Sequence, residues 1–213
     1  MKHENNKKKN HKKIAPAVAR NRDPILKVLK ECMPPEGTIL EIASGSGEHA
    51  QYFTEALAPC CWLPSDPDQS SLDSIRAWWW DKQLNNILPA VKIDSRDALW
   101  EVEKNPPTPA IEAMVCINMI HISPWDATIG LMKGANRILP PGGILYLYGP
   151  YKVDGSHTAP SNEAFDQNLK SRNPDWGIKN LEDVQECATQ NGLTFLKTVE
   201  MPANNLSVIF RKD

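Results

Sequence analysis

The sequence has 213 residues, of which 41% are hydrophobic and 23% are charged, and its formal net charge is −2. This composition excludes an intrinsically disordered chain and suits one globular α/β domain with a sizeable buried core. The five cysteines include no C-x-x-C pair and no histidine at ligand spacing, and no apolar run approaches the length of a membrane span. We therefore expect a cytoplasmic protein with reduced thiols, no metal site and no membrane partner.

A basic tail opens the chain, and an acidic body follows it. Residues 1–13 hold six of the 24 lysines and arginines and one of the 26 aspartates and glutamates, and the remaining 18 basic and 25 acidic residues give the body a net charge of −7. Because the tail has almost no apolar residues, we expect it to be disordered, and we expect residues 14–213 to form a single domain. Such a tail can contact nucleic acid or an anionic surface, but the acidic body argues against a nucleic-acid substrate.

The first helix is predicted to begin at Asp23-Pro24, where an N-cap residue precedes proline at the first helical position. Apolar residues recur at helical spacing from Ile25 to Cys32, and Pro34-Pro35 ends the helix. Arg20-Asn21 lies just before this helix and carries two donor-rich side chains. They either cap the helix and form surface ion pairs, or they close over the carboxylate of a cofactor.

A buried strand, a glycine-rich turn and a helix start follow one another after the first helix. Apolar residues dominate Thr38–Ala43, and Glu48–Leu57 has a helical apolar side. The turn between them contains Gly45 and Gly47, which let a ligand approach the backbone near the free N–H groups of the helix start. This corner is therefore predicted to bind a nucleoside or an anion.

Two cofactor classes use such a corner. Gly45-x-Gly47-x-x-Ala50 fits the dinucleotide fingerprint in its G-x-G-x-x-A form. Glu41-x-x-x-Gly45-x-Gly47 instead resembles the first motif of class I methyltransferases, which use S-adenosylmethionine. Since an ordinary tight turn also contains such glycines, the rest of the chain has to distinguish these alternatives.

Two aspartates follow predicted strands at positions that suit a nucleoside. Asp66 ends the short strand Trp62–Ser65 and lies 19 residues after Gly47, about where a Rossmann-type fold has a carboxylate on ribose hydroxyls. The alternative is that Asp66 caps the helix predicted over Ser70–Gln83. Asp94 ends the third predicted strand, where a carboxylate suits the amino group of adenine.

Polar residues also follow the most apolar strand, Ala113–Asn118. Asn118 ends this strand, and His121 lies three residues further along. His121 is a candidate general base because a histidine titrates near neutral pH. The alternative is a histidine that hydrogen-bonds to backbone beneath the cofactor. A helix is predicted to begin at Ser123-Pro124.

A long insertion spans residues 149–180, after the fifth predicted strand. It is rich in proline, serine, asparagine and aromatic residues, with one short helix near Asn162–Leu169. Loops of this length are usually lids or binding loops, so we expect a lid over the acceptor. Its basic and acidic residues are balanced, which favours a small molecule over a nucleic acid as the acceptor. The residues proposed to shape the acceptor pocket are Tyr151, His157, Asn162, Phe165, Asp166 and Trp176.

Alternating strands and helices that end in a hairpin resemble the Rossmann-like class I methyltransferase fold, which has a seven-stranded sheet, helices on both faces and a last strand that runs antiparallel. The seven strands predicted here are Thr38–Ala43, Trp62–Ser65, Ile87–Ile93, Ala113–Asn118, Ile144–Tyr148, Leu193–Met201 and Leu206–Arg211.

More narrowly, residues 14–213 resemble the little-characterised family that includes methyltransferase-like protein 26. The motifs that carry this resemblance are Arg20-Asn21-x-x-Pro24, Glu41-Ile42-Ala43-Ser44-Gly45-Ser46-Gly47-Glu48-His49, Trp62-x-Pro64-Ser65-Asp66, Asn118-Met119-Ile120-His121, Tyr148-Gly149-Pro150-Tyr151, Ser161-Asn162-x-x-Phe165-Asp166 and Trp176-Gly177. A dinucleotide dehydrogenase explains Gly45, Gly47 and Asp66 equally well, but not Glu41, Asp94 or the terminal hairpin.

The resemblance implies an S-adenosylmethionine-dependent methyltransferase with a small-molecule acceptor. The residues expected to bind the cofactor are Arg20, Asn21, Glu41, Ala43, Gly45, Gly47, Asp66, Asp94 and Asn118, and those expected in catalysis are His121, Tyr151 and Asp166. Glu41 is expected to reach the amino group of the methionyl part. The alternatives are an NAD(P)-dependent oxidoreductase of Rossmann type and a non-catalytic protein that binds S-adenosylmethionine.

Overall fold

Strands and helices alternate along the computed structural model, which describes residues 11–213. The helices are α1 (Val18–Cys32), α2 (Glu48–Ala56), α3 (Gln69–Lys82), α4 (Glu101–Lys104), α5 (Trp125–Ile138), α6 (Pro160–Arg172) and α7 (Leu181–Gln190). The strands are β1 (Thr38–Ile42), β2 (Cys61–Pro64), β3 (Ile111–Ile117), β4 (Ile144–Gly149), β5 (Lys152–Val153), β6 (Ser156–His157), β7 (Leu193–Met201) and β8 (Asn205–Lys212). The α/β class predicted from the sequence is confirmed.

The main sheet has six strands in the order β2-β1-β3-β4-β8-β7. Strands β1 to β4 are parallel, whereas β8 runs antiparallel to both β4 and β7. The predicted terminal hairpin is therefore present, and β5 and β6 form a second, separate hairpin. Because β1, β2 and β3 are parallel neighbours, the loops that follow them meet at one edge of the sheet.

The prediction of a seven-stranded sheet is wrong in the part of the chain that the structure describes. Residues 87–93 form no regular strand and pair at two isolated bridges, from Ile87 to Trp62 of β2 and from Val91 to Ser65, the residue that follows β2. Pro89 lies between these bridges and has no N–H to offer a ladder, so it interrupts the pairing. Strand β2 is consequently an edge of the regular sheet, where its own Pro64 is tolerated.

The sheet is covered on both faces, as predicted. Side chains of β1 alternate between the faces: Ile39 packs in the cluster under α1 and α2, and Leu40 packs in the cluster under α5 and α7. Burial of each such side chain stabilises the fold by roughly 1.5–3 kcal/mol. The two cores fix the carboxyl ends of β1, β2 and β3, where the loops after these strands begin.

Two helices begin earlier than the sequence predicted. Helix α1 begins at Val18 and contains Pro24, although Asp23-Pro24 was expected to open it. Proline removes one backbone donor inside a helix, but the buried Val18 and Asn21 give the first turn its own packing. In the insertion, α6 runs over Pro160–Arg172 and is longer than the predicted Asn162–Leu169.

The predicted tail is described only at its end. Residues 1–10 lie outside the described residues, so the disorder expected there stays a prediction, as does the domain boundary at residue 14. Lys12 pairs with Asp81 and lies 4.3 Å from the ring centroid of Trp78, and Lys13 contacts the start of α3. Among residues 11–213, no helix is long and apolar enough to cross a membrane.

Candidate functional site

A cavity of about 400 Å³ lies at the edge of the sheet where the loops after β1, β2 and β3 meet. Crevices outside the carboxyl ends of parallel strands are where open α/β sheets bind ligands. The predicted residues that line this cavity are Ala43, Gly45, Asp66 and Asp94. Residues that the site prediction did not include complete the wall, namely Ile42, Pro67, Ser71, Ile93, Ser95, Arg96, Met119, Ile122, Ser123, Pro124 and Ala127.

The glycine-rich turn after β1 uses its two glycines in different ways. Gly45 has a φ of +56°, and a Cβ placed there would meet no atom within 4 Å, so this backbone faces open space beside the cavity. Gly47 has a φ of +87° and precedes α2 as its N-cap. A Cβ on Gly47 would lie 2.8 Å from the Cα of Ile75, so this glycine lets the turn pack directly on α3.

Asp66 links the end of β2 to the glycine-rich turn. Its Oδ2 accepts a hydrogen bond from the Gly45 N–H at 2.9 Å, and its Oδ1 accepts one from the Asp68 N–H at 3.0 Å. The side chain is buried, which raises the pKa of the carboxyl. Helix α3 is capped by Asp68, which accepts from the Ser71 N–H at 3.1 Å. The alternative role of Asp66 as that cap is therefore excluded.

Asp94 is held by the residue two positions after it. Its carboxylate accepts from the Arg96 N–H and Nε, both at 3.0 Å, and from the second guanidinium nitrogen at 2.6 Å. These hydrogen bonds, together with the charge of Arg96, lower the pKa of Asp94. The Ser95 hydroxyl donates to the Ala127 carbonyl of α5 at 3.0 Å, so the loop is fixed to that helix.

The approach of α5 to this loop depends on Gly130. A Cβ at this position would lie 2.1 Å from the Ser95 carbonyl oxygen, a backbone atom that cannot move aside cheaply. We expect Gly130→Ala to displace residues 94–96 and to lower the free energy of unfolding by about 2 kcal/mol, the usual cost of overpacking. Urea unfolding of this variant tests the expectation, with Lys133→Ala as a control because Lys133 is an exposed residue of the same helix. Equal destabilisation of both variants contradicts it.

Glu41 lies beneath the glycine-rich turn and does not line the cavity. It is 2% exposed, and its Oε2 accepts from the Trp62 indole N–H at 3.0 Å. Burial raises the pKa of Glu41 to about 7, although the hydrogen bonds from Trp62 and Ser44 oppose the rise. In this position Glu41 stabilises the start of β2 and the turn from below.

The remaining residues predicted to bind a cofactor lie on the α1 and β3 sides of the turn. Arg20 is exposed, whereas Asn21 is buried and its Oδ1 accepts from His49 Nε2 at 2.9 Å. Burial, with a smaller effect of the nearby Arg22, lowers the pKa of His49 to about 4. Asn118 has a φ of +62° directly after β3, and its N–H donates to the Tyr148 carbonyl at 2.8 Å. Asn21 is therefore bound to the first turn of α2 through His49.

The three residues predicted in catalysis do not line the cavity. His121 is 1% exposed and meets Tyr151 edge to face, with ring centroids 5.0 Å apart. The Lys179 N–H donates to His121 Nδ1 at 3.4 Å. Burial, followed by the Lys179 charge, lowers the pKa of His121 to about 3, and burial raises that of Tyr151 far above its usual range. Both side chains are enclosed.

Asp166 ties the parts of the insertion together. Its carboxylate accepts from the Ile178 N–H and from Lys170 Nζ, both at 2.7 Å, and Lys152 Nζ lies 3.7 Å away. Burial alone would raise the pKa of Asp166, but these donors and charges lower it. The Gly177 N–H donates to the His121 carbonyl at 2.9 Å. The insertion is thereby attached to the turn that carries Met119 and Ile122 into the cavity.

Sequence reasoning missed Arg96, Ser71 and Gly130. Arg96 had a readable signal, since a basic residue two positions after a strand-end aspartate can fold back on it. Ser71 and Gly130 had none, because their roles come from helices packing across the cavity. Among residues 11–213, no group of three or more His, Cys, Asp or Glu side chains could hold a metal ion.

A family model described as "Protein of unknown function (DUF938)" matches residues 12–212. The family that includes methyltransferase-like protein 26 is not confirmed by this match, and that resemblance stays a prediction.

Solved methyltransferase structures share the fold at low sequence identity. An O-methyltransferase family protein from Burkholderia thailandensis has a TM-score of 0.75 at 15% identity, over 92% of this chain and 57% of that chain. Human N-acetylserotonin methyltransferase, in complex with SAM, has a TM-score of 0.71 at 12% identity, over 92% and 52%. An O-methyltransferase family 2 protein from Planctomyces limnophilus, in complex with apigenin, has a TM-score of 0.69 at 16% identity, over 83% and 50%. The chain thus has the methyltransferase fold and spans about half the length of these proteins.

Proposed function

We propose that this chain, which belongs to the DUF938 family of proteins of unknown function, is an S-adenosylmethionine-dependent methyltransferase that acts on a small-molecule acceptor. The observation that carries the proposal is the cavity after β1, β2 and β3, which is walled by two carboxylates and an open glycine turn. The likeness of the fold to a methyltransferase solved in complex with SAM supports the same cofactor.

The hydrogen-bond acceptors of the cavity suit an adenosyl group. Each Asp66 oxygen accepts one backbone hydrogen bond and keeps a further acceptor position, as a pair of ribose hydroxyls requires. Asp94 Oδ2 accepts one hydrogen bond from Arg96 and keeps one acceptor position for an adenine amino group. Met119, Ile122 and Pro124 supply an apolar wall for the base.

The chemistry asks little of the protein beyond placement. The cofactor supplies an electrophilic methyl group on a sulfonium. The chain then has to align an acceptor lone pair with that methyl group, exclude water and, for some acceptors, remove one proton. The catalytic roles of His121, Tyr151 and Asp166 stay predictions. Their contacts hold the insertion beside the cavity, which is a positioning task.

Two observations favour a small molecule as the acceptor. The likeness to a structure in complex with apigenin supports an acceptor of that size. In addition, the insertion carries four basic residues and four acidic residues, which makes no strong surface for a phosphate backbone. The insertion is proposed to form one wall of the acceptor pocket, with Asn162 and Phe165 on its helix α6.

Calorimetry with S-adenosylhomocysteine and with NADH tests the proposed cofactor. We expect S-adenosylhomocysteine to bind and to raise the Tm of the chain, and NADH to do neither. Binding of NADH alone would favour the oxidoreductase alternative instead. Transfer of a labelled methyl group from S-adenosylmethionine, offered a small-molecule extract and total RNA in parallel, then tests the acceptor class. Label in the RNA alone contradicts a small-molecule acceptor, and no label with either supports the non-catalytic alternative.

Asp66→Asn is expected to weaken S-adenosylhomocysteine binding about tenfold. The amide keeps one acceptor but loses the charge that strengthens hydrogen bonds to ribose hydroxyls, and such bonds are worth about 1.5–3 kcal/mol. Asp73→Asn is the matched control, because Asp73 lies on α3 and pairs with Arg76 at 2.9 Å, away from the cavity wall. Unchanged affinity in a folded Asp66→Asn protein removes Asp66 from the proposed site.

A further inference from the structure

The segment of residues 11–16, here called the N-terminal segment, lies across α3. The Lys13 N–H donates to Ser74 Oγ at 2.8 Å, and the Trp78 indole N–H donates to the Lys13 carbonyl at 3.1 Å. Both backbone polar groups of Lys13 are therefore bound to side chains of α3. This segment is bound to the helix through specific hydrogen bonds.

Ser74 connects this segment to the glycine-rich turn. Its side chain is fully buried, and its hydroxyl donates to the Ser46 carbonyl at 2.6 Å while it accepts from Lys13. A hydroxyl has one proton to donate, so these two contacts fix its rotation. Ser74 thus holds the glycine-rich turn at Ser46, and the N-terminal segment holds the Ser74 hydroxyl through Lys13.

A second connection reaches the same turn through Glu48. The Ala15 N–H donates to Glu48 Oε2 at 2.5 Å, and the Ser46 hydroxyl donates to the same oxygen at 3.1 Å. The Ser46 carbonyl is therefore linked to Lys13 through Ser74, and the Ser46 hydroxyl is linked to Ala15 through Glu48. The two routes converge between Gly45 and Gly47.

The Lys13 ammonium extends the segment to the rim of the cavity. Its Nζ lies 2.7 Å from Ser70 Oγ, 3.1 Å from Ser71 Oγ and 3.3 Å from Asp68 Oδ2. Ser71 lines the cavity. Lys13 also lowers the pKa of Asp66 through its charge, although burial has the larger and opposite effect. The ammonium therefore acts on the carboxylate proposed for the ribose.

We propose that Lys13 and Ser74 are positioning residues of the cofactor site, which hold the glycine-rich turn in the geometry that binds the cofactor. The proposal rests on the proposed function. Because the N-terminal segment and the cofactor both act on residues 44–48, docking of the segment and binding of the cofactor are coupled. By linkage, each event strengthens the other by the same factor.

Four full-length variants test this coupling by calorimetry with S-adenosylhomocysteine. Lys13→Pro removes both the N–H and the ammonium, Lys13→Ala removes the ammonium alone, and Ser74→Ala removes the hydroxyl that joins the Lys13 N–H to the Ser46 carbonyl. We expect Lys13→Pro and Ser74→Ala to weaken binding about tenfold and Lys13→Ala about threefold, as the loss of one or two hydrogen bonds implies. Lys82→Ala is the control, because Lys82 ends α3 and pairs with Glu55 at 2.7 Å, outside the N-terminal segment, and we expect its affinity to equal that of the wild type.

Hydrogen exchange measures the reciprocal effect, that of the cofactor on the N-terminal segment. If the contacts of this segment only stabilised the fold, its exchange would not change when the cofactor binds. In the wild-type chain, S-adenosylhomocysteine is expected to slow exchange of the Lys13 and Ala15 amides, and in Ser74→Ala this effect on Lys13 is expected to disappear. Wild-type affinity in both Lys13→Pro and Ser74→Ala overturns the coupling and leaves the proposed function standing. A wild-type chain that binds no S-adenosylhomocysteine overturns both.

Discussion

His121→Asn is expected to resist acid better than the wild-type chain, by about 3 kcal/mol of unfolding free energy at pH 4 once each protein is referred to its own value at pH 8. Burial holds the pKa of His121 at about 3, compared with 6.5 for a free side chain. The unfolded chain therefore binds a proton between these values and the folded chain does not. Stability is fully present above pH 6.5 and is lost as the pH falls toward 3, at about 1.4 kcal/mol per unit.

Urea unfolding at unit steps from pH 4 to pH 8 measures this difference. Asparagine has an oxygen that can still accept from the Lys179 N–H, so the substitution removes the titration and keeps an acceptor for that hydrogen bond. Comparison with the wild type cancels contributions that both proteins share, including that of His49. His11→Asn, on an exposed residue, is the control. Parallel profiles of His121→Asn and the wild type would show that His121 is not buried in its neutral form.

The strands that the sequence predicted correctly are those with local signals. Ala113–Asn118 is a nearly continuous apolar run, and β3 occupies Ile111–Ile117. Residues 87–93 are apolar as well, but Pro89 prevents a regular ladder of backbone hydrogen bonds. The effect of this proline depends on the partner strand. Pro24 led to the opposite error, since burial of Val18 and Asn21 extends α1 across a residue that usually starts a helix.

The candidate site was predictable where chain order sets spatial order. Strand-end residues of a parallel sheet meet at one edge, so Gly45 and Asp66 lie together at the cavity. Asp94 joins them, although residues 87–93 pair with the sheet only at isolated bridges. Whether a side chain at a strand end lines the cavity or is buried in the core was not predictable in the same way. His121 and Tyr151 also follow strand ends, yet they point into the core, because the insertion closes over them through Gly177 and Lys179. This closure depends on tertiary contacts, which the spacing of residues in the sequence does not predict.

Glu41→Gln is expected to become more stable than the wild-type chain as the pH rises, by about 3 kcal/mol between pH 4.5 and pH 8. Burial raises the pKa of Glu41 from 4.5 to about 7, so the folded chain holds a proton that the unfolded chain has released over this interval. The stability that the protonated carboxyl contributes is fully present below pH 4.5 and is lost as the pH rises through 7. Glutamine stays neutral throughout, and its carbonyl can still accept from Trp62.

His121 lowers the stability of the wild-type chain as the pH falls, and Glu41 lowers it as the pH rises, so the two predicted profiles have opposite signs. Removing the titration of His121 flattens the acid side of the stability curve, whereas removing that of Glu41 flattens the interval from pH 4.5 to pH 7. Thermal or urea unfolding of Glu41→Gln at pH 4.5, 6, 7 and 8 measures the change, with Glu55→Gln, an exposed acid on α2, as the control. A constant offset from the wild type across this range would mean that Glu41 titrates alike in the folded and unfolded chains. The Glu41 carboxyl would then not be held in its protonated form beneath the turn, where Trp62 and Ser44 hydrogen-bond to it.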